Sequence, residues 1–311
     1  MGIGDDAALI RIPPKEDVVV TTDLLVEGIH FSFTTASHED VGYKAAVANI
    51  SDIAAMGGRP QYLFVSIAIP PAHGESQIQD LYRGIMAACR PHGIQLVGGD
   101  TSASRRDLFI NVTLAGSVGS GKALRRDGAR PGDLVYVTGT LGDSLAGLDV
   151  LAALPSGAKT RHKVIGVLAR RHLRPEPRVE IGRVLSTRGL ATAAIDISDG
   201  LSGDLVHLCR QSGVGAEIDV QALPVSAALK IYARRLGADP ADLARQGGED
   251  YELLFTVAPR DVLKMRSLGR KGACRVTRIG VVQTKRAGMR YRDRTGRLRP
   301  WTNVSYEHFR Q

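Results

Sequence analysis

Aspartates embedded in apolar sequence most limit the folds open to this chain. Val18-Val19-Val20-Thr21-Thr22-Asp23 carries a β-branched run up to a carboxylate, and Leu96-Val97-Gly98-Gly99-Asp100 does the same through two glycines. Both patterns predict a strand that ends on an acid, the glycines leaving room for a ligand at the backbone. Asp52 lies inside Val47-Ala48-Asn49-Ile50-Ser51-Asp52-Ile53-Ala54-Ala55-Met56, a small-residue helix suited to close packing and closed by Gly57-Gly58. Asp6 follows Gly4-Asp5, and Asp196 and Asp199 bracket Ile197-Ser198 before Gly200. A carboxylate buried without a partner is strongly unfavourable, so a fold must either turn each acid to solvent or gather them around a cation. For any one of them the first alternative stays open, since aspartate commonly caps turns. Their recurrence favours the second. Oxygen donors with no cysteine pair and no histidine cluster select magnesium or calcium over zinc or copper, and magnesium points to phosphate chemistry.

A chain of 311 residues exceeds what one core usually organises, so two domains are expected, and 43% hydrophobic residues supply the cores. No apolar run approaches the roughly eighteen residues of a membrane span, and no basic and apolar leader follows Met1. The expectation is a cytoplasmic protein without a membrane partner. Cys89, Cys209 and Cys274 are too far apart in sequence to read as a metal or redox motif. The net charge of +9 concentrates in Arg105-Arg106, Arg125-Arg126 and the stretch from Arg161 to Arg183. Aromatics make up only 5% and do not interleave with these arginines, which argues against a nucleic-acid partner and for a solvated basic surface.

Periodicity predicts strands over Asp17 to Asp23, Tyr62 to Ile69, Ile94 to Val97 and Leu108 to Val118, with helices over Asp40 to Met56 and Ser76 to Arg90. Ser76 is the expected N-cap of the latter. The polar stretch from Arg126 to Asp133 is the expected boundary, giving domains 1–129 and 130–311. Beyond it, strands are expected over Leu134 to Thr138, Ala194 to Ile197, Glu217 to Val220 and Tyr251 to Val257. Helices are expected after Ser144 and over Lys163 to Arg171, Arg178 to Ser186 and Leu201 to Gln211. This mixture implies α/β (α+β) architecture in both domains. Gly116-Ser117-Val118-Gly119-Ser120-Gly121-Lys122-Ala123 nearly spells a phosphate-binding loop. Ala123 replaces the hydroxyl that would hold magnesium, however, and Gly128 with Pro131 leaves no room for the helix that should follow.

Six blocks resemble the thiamine-monophosphate kinases, of the superfamily that includes aminoimidazole ribonucleotide synthetase and selenophosphate synthetase. They are GIGDDAA from Gly2, TTDLLVEGIHF from Thr21, VGYKAAVANISDIAAMG from Val41, VGGDT from Val97, AIDISDGL from Ala194 and GGEDYELLF from Gly247. The resemblance implies a two-domain aminoimidazole ribonucleotide synthetase-like fold whose N-terminal domain pairs with its twin in a homodimer. It also implies ATP-dependent phosphorylation of thiamine monophosphate to thiamine diphosphate, the last step in making that product, with several Mg2+ ions. Carried over by motif, Asp6, Thr21, Thr22, Asp23, Asp52, Asp100, Asp196 and Asp199 form the metal set. Gly99, Asp100, Arg126 and Ser198 contact ATP, and His30, Glu249 and Tyr306 contact thiamine monophosphate. The resemblance also implies a further helix and loop before the GIGDD block; either the start of this sequence is misplaced or the segment is truly absent, and in the second case stability and turnover are expected to suffer.

The chemistry fits these residue types. An acceptor phosphate ionises a second time near pH 6 and is a usable nucleophile without a general base, so no catalytic acid or base is expected. Charge repulsion is the obstacle, about 4 kcal/mol for two unit charges 4 Å apart at an effective dielectric of 20, and metal anchored by aspartates answers it. A cationic thiazolium suits Glu249 and the ring of Tyr306. Plain structural roles stay open for Arg126, Glu249, Tyr306 and His30. Two other functions also stay open: another ATP-dependent synthetase of the superfamily, and an inactive nucleotide-binding protein.

Overall fold

The computed structural model describes residues 10, 12–154, 162–265 and 274–303. Asp6 and Tyr306 lie outside the described residues.

The first domain comprises β1 (Glu16–Val26), α1 (His38–Ala55), β2 (Arg59–Ile69), α2 (Glu75–Cys89), β3 (Gln95–Ala103) and β4 (Phe109–Gly119). The strands form a four-stranded sheet in the order β1-β4-β2-β3, parallel between β2 and β3 and antiparallel elsewhere. α1 and α2 cover one face, where Ile50, Ile53, Leu81 and Ile85 are buried against Leu63, Val65, Ile110 and Leu114. Each such side chain contributes about 1.5–3 kcal/mol on burial. Strand alternation sorts β1 into two sets. Thr21, Asp23 and Leu25 turn toward α1. Val18, Val20 and Leu24 stand outward, 45%, 61% and 52% exposed.

The second domain comprises β5 (Leu134–Thr138), α3 (Asp143–Ala152), α4 (Lys163–Leu173), α5 (Val179–Thr187), β6 (Ala191–Ile197), α6 (Leu201–Ser212), β7 (Val214–Asp219), α7 (Ala227–Leu236), α8 (Pro240–Gln246), β8 (Glu252–Val257), β9 (Val276–Thr284), β10 (Met289–Arg292) and β11 (Leu298–Pro300). Its seven-stranded sheet has the order β11-β10-β7-β9-β5-β8-β6. β8 lies between β5 and β6 and is buried along its whole length, so Leu253, Leu254, Phe255 and Val257 show no polar alternation and its two polar residues, Glu252 and Thr256, are hydrogen-bonded. Across the domains, α5 meets α1 at Gly182, where a Cβ would stand 2.0 Å from the Ala54 carbonyl oxygen.

The α/β class and two-domain division match the reading of the sequence, and several details differ. β1 continues past Asp23 to Val26, paired with Phe109–Asn111, and β3 continues past Asp100 to Ala103, paired with β2. Both acids therefore lie within strands. Gly99 answers to its own sheet, because a Cβ there would meet the Val65 carbonyl oxygen at 1.9 Å. α2 begins one residue before Ser76. Its N-cap is Gly74, whose N–H donates to Gln77 Oε1 at 2.7 Å, a side-chain bond that outcompetes the serine. The glycines from Gly116 to Gly119 close β4, Lys122 follows in a turn, and no helix begins between Lys122 and Asp143, so the near phosphate-binding loop has no helix N-terminus.

Candidate active site

A cavity of about 820 Å³ opens between the domains. Its walls come from β1 and the loop after it, from α1, α3 and α4, from the turn after β6, and from the segment before β8. α1 contributes Asp40, Lys44, Ala48 and Asp52, four residues apart and hence one above another on a single helix face.

Three of its aspartates, Asp23, Asp52 and Asp196, lie within electrostatic reach of one another. Thr21 Oγ1 donates to Asp52 Oδ2 at 2.5 Å, and Ser51 Oγ donates across the domain junction to Asp196 Oδ2 at 2.8 Å. Burial first, and then the neighbouring Asp52, push the Asp23 carboxyl up to about 6. Asp196, 3% exposed, is raised by the same two causes. Asp52 is raised by burial, against the opposing effects of the Thr21 bond and the Arg126 guanidinium. Arg126 acts on Asp196 in the same sense, so its charge faces both acids although its side chain is exposed. Ser198 and Asp199 line the cavity beside them. Their turn is held by Asp204, which the sequence reading passed over; its Oδ2 accepts from the Ser198 and Gly200 N–H groups at 3.2 and 3.1 Å.

Among the described residues, no three acidic or histidine side chains converge as a ready-made metal site. Magnesium is ordinarily held by one or two carboxylates together with phosphate oxygens and water. Three carboxylates that repel one another along the wall of one cleft fit a hard divalent cation of that kind.

The remaining polar groups of the cavity are mixed. His30 is among its lining residues, with its Nδ1 accepting from the Val26 N–H at 3.1 Å. Glu249 adopts φ of 58° and Tyr251 φ of 51°, left-handed values that cost a non-glycine residue about 1 kcal/mol or more each. Backbone bonds enforce them, Glu249 N–H to Ser198 O at 2.7 Å and Tyr251 N–H to Ile197 O at 2.9 Å. Asp250 between them caps α3 by accepting from Gly142 and Ser144 N–H. Glu249 Oε2 receives Lys44 Nζ at 3.0 Å, and Lys44 also donates to His172 Nε2 at 3.2 Å. Lys44 and His172 were not anticipated. Lys44 was legible in principle from its position eight residues, two steps of four, before Asp52 on the same helix, whereas His172 stands in a basic run that gives no sign of facing a cavity.

Thr22, Gly99 and Asp100 do not join this cluster. Thr22 shares the outward face of β1 and bonds Thr113 across the strand at 2.9 Å. Asp100 is exposed on β3, at the far edge of the sheet from β1, three strand spacings or roughly 14 Å away. It shares its cross-strand row with Ser66, Asn111 and Leu24, on the face turned away from α1.

Comparison with known proteins places the chain in a family. The family model described as AIR synthase related protein, N-terminal domain, matches residues 4–118, and that described as AIR synthase related protein, C-terminal domain, matches residues 130–291. The thiamine-monophosphate kinase of Salmonella typhimurium is 43% identical over 258 residues, 82% of this chain and 76% of that protein. The crystal structure of thiamine-monophosphate kinase from Stenotrophomonas maltophilia superposes with a TM-score of 0.84 at 40% identity, covering 94% of this chain and 90% of that one. AaThiL complexed with AMPPCP and TMP gives 0.82 at 35% identity, covering 99% and 92%.

Proposed function

Because the chain belongs to the thiamine-monophosphate kinase family, we propose that the cleft between its domains is where it transfers the γ-phosphoryl group of ATP to thiamine monophosphate, giving thiamine diphosphate and ADP. The observation that carries this reading is the acid cluster of one cavity. Asp23, Asp52 and Asp196 line it together with His30 and with Glu249, which is tied to Lys44 two helical turns before Asp52 on α1, so carboxylates for a metal-bound polyphosphate and polar groups for the organic part of the acceptor share a single cleft.

The acceptor is a phosphate already ionised near neutral pH, so the chain has no proton to remove. Its residues bind, orient and exclude water. Asp23, Asp52, Asp196 and Asp199, with the Thr21 hydroxyl, would hold magnesium, and Asp6 belongs to the same motif set. When bound, magnesium screens phosphate charge and aligns donor with acceptor. Arg126 and Ser198 are assigned to ATP, and His30, Glu249 and Tyr306 to thiamine monophosphate. The domain boundary is placed after residue 129.

Thr22, Gly99 and Asp100 are assigned to the cleft of a second copy. What supports a homodimer is the open face of the first sheet, with Val18, Val20 and Leu24 exposed beside Thr22 and with Asp100 on the same face. In mixed dimers of Asp23→Asn and Asp100→Asn chains one cleft would then hold both wild-type acids, so activity returns on mixing. Two inactive variants that stay inactive when mixed refute this assignment. Among the described residues no helix is long and apolar enough to cross a membrane, and the assignment to the cytoplasm is part of the same reading.

The reaction is tested by incubating the chain with ATP, magnesium and either thiamine monophosphate or thiamine, and identifying products by mass. Thiamine diphosphate formed from the monophosphate alone is the expected result. ATP consumption with no diphosphorylated product would reject the reading in favour of another ATP-dependent reaction of the fold.

A further inference from the structure

Among the described residues that line the cavity, Lys44 is the sole lysine or arginine, against six carboxylates at Asp23, Asp40, Asp52, Asp196, Asp199 and Glu249. It is 4% exposed, too deep to serve as a general attractor for polyanions. Its Nζ divides between two partners, Glu249 Oε2 at 3.0 Å and His172 Nε2 at 3.2 Å. An ammonium group only donates, so His172 Nε2 is the acceptor and the ring proton sits on Nδ1. That nitrogen faces Ser144 Oγ at 3.0 Å and Glu249 Oε2 at 3.5 Å. His172 is itself 5% exposed, and burial followed by the Lys44 charge keeps it neutral, lowered to about 4.

These contacts all converge on one oxygen. Glu249 Oε2 is taken by Lys44 and approached by His172, whereas Oε1 accepts no hydrogen bond from any described residue. The Glu249 backbone is meanwhile held in its left-handed conformation by Ser198 O, and Asp250 ties the same loop to α3, which carries Ser144. A carboxylate on a flexible side chain has thus lost its freedom at both ends, and its charge is matched by a buried cation.

We propose that Lys44 is a positioning residue for substrate selection: with His172 it pins Glu249 so that Oε1 is presented as one oriented acceptor for the exocyclic amine of the aminopyrimidine. The inference rests on the assignment of Glu249 to thiamine monophosphate and changes its content. A carboxylate already neutralised by Lys44 recognises an N–H donor by direction, and the bare positive charge of a thiazolium is a poor match for it.

The test is a double-mutant cycle read with two acceptors, thiamine monophosphate and the phosphate of its analogue in which oxygen replaces the amine. The wild type should prefer the amine-bearing acceptor in kcat/KM. Lys44→Met, close in shape and uncharged, should raise KM for thiamine monophosphate about 10- to 100-fold, the equivalent of one hydrogen bond to a charged group. It should also erase the preference while leaving kcat and the KM for ATP within about threefold. Glu249→Gln should do the same, and the double variant should be no worse than either single one, because both remove one device. His172→Leu takes away the Lys44 acceptor and should show the same pattern at smaller size, which keeps the cycle available if Lys44→Met folds poorly. The proposal is overturned if Lys44→Met retains the preference, or if its effect adds to that of Glu249→Gln. A Glu249→Gln enzyme with unchanged KM would instead reject the underlying assignment of Glu249.

Discussion

Replacing His172 with glutamine should uncouple part of the protein's stability from pH. The buried ring is lowered from an ordinary 6.5 to about 4, by desolvation first and the Lys44 ammonium second. A folded form that resists protonation binds fewer protons than the unfolded chain between those two values. Linkage then makes stability fall as pH falls, beginning near 6.5 and complete below 4. Over the whole window the loss is about 3 kcal/mol, and between pH 7 and pH 5 about 2 kcal/mol, from one proton at 1.36 kcal/mol per unit. Asp23, Asp52 and Asp196 work in the opposite direction, since their raised carboxyls take up protons on acidification in the folded form. The wild-type curve alone is therefore ambiguous, and the difference between wild type and variant is the informative quantity. The glutamine amide can accept from Lys44 but cannot titrate, so His172→Gln should lose about 2 kcal/mol less than wild type from pH 7 to pH 5. Urea unfolding at several pH values, with the slope measured in each, gives that difference. Parallel curves for the two proteins would refute the reasoning.

Arg178 donates to Glu252 with Nε at 2.6 Å and Nη2 at 2.5 Å, and Thr138 adds a third bond to the same carboxylate. Glu252 is 2% exposed, so Arg178→Met leaves an unpaired buried charge and should cost roughly 3–5 kcal/mol in urea unfolding. Asp52→Asn should reduce turnover roughly 100-fold or more while stabilising the chelator-treated protein by about 1 kcal/mol, because it removes one member of a self-repelling set. An active or destabilised Asp52→Asn protein counts against the electrostatic account of that aspartate cluster. Gly182→Ala should destabilise by about 1–3 kcal/mol through the clash with the Ala54 carbonyl, measured as a lower melting temperature, and a neutral effect would show that the junction relaxes freely.

The sequence exposed those parts of the site whose reasons are local. Asp52 was legible because a carboxylate in an alanine-rich helix conflicts with its surroundings, and the structure resolves the conflict by turning it into the cleft. Asp196 and Asp199 were legible from a buried strand running into a glycine turn. What escaped depended on partners far away in the chain. His172 lies 128 residues from Lys44 and meets it only because α4 packs beside α1. The left-handed backbone at Glu249 falls on a residue that is not glycine, just after Gly247-Gly248, and is held by the Ser198 carbonyl in the turn after β6. The division of the acids was hidden for a geometric reason. Thr22 and Asp23 are neighbours in sequence, yet a pleated strand sends them to opposite faces, so a motif that reads as one ligand set is split by the period of two. The C-terminal elements α7, α8 and β9 to β11 went unread because their places are fixed by distant partners: β9 pairs with β5 and β7, β10 with β7, β11 with β10, and α7 and α8 pack against α3, α4 and α6.

Small side chains explain how acids that repel one another came to share a wall. α1 ends in Asp52-Ile53-Ala54-Ala55, and α5 offers Gly182 directly over the Ala54 carbonyl. A Cβ at Gly57 would meet the Ser186 side chain at 2.4 Å, so the turn after α1 sits equally close to α5. This contact brings Ser51 within 2.8 Å of Asp196 and thereby sets Asp52 beside an acid from the other domain. A wider junction would relieve the repulsion and would also separate the groups that must act together on one polyphosphate. The domains therefore use glycine and alanine where larger residues would give more buried area, accepting lower stability at the junction in return for a cleft whose charge is unsatisfied until a ligand arrives. Glu249 follows a different rule, since Lys44, the one lysine or arginine among the described lining residues, is already matched to it before anything binds. The aspartate cluster is thus arranged to gain energy from binding, and Glu249 is arranged to lose none on binding because its geometry is fixed beforehand.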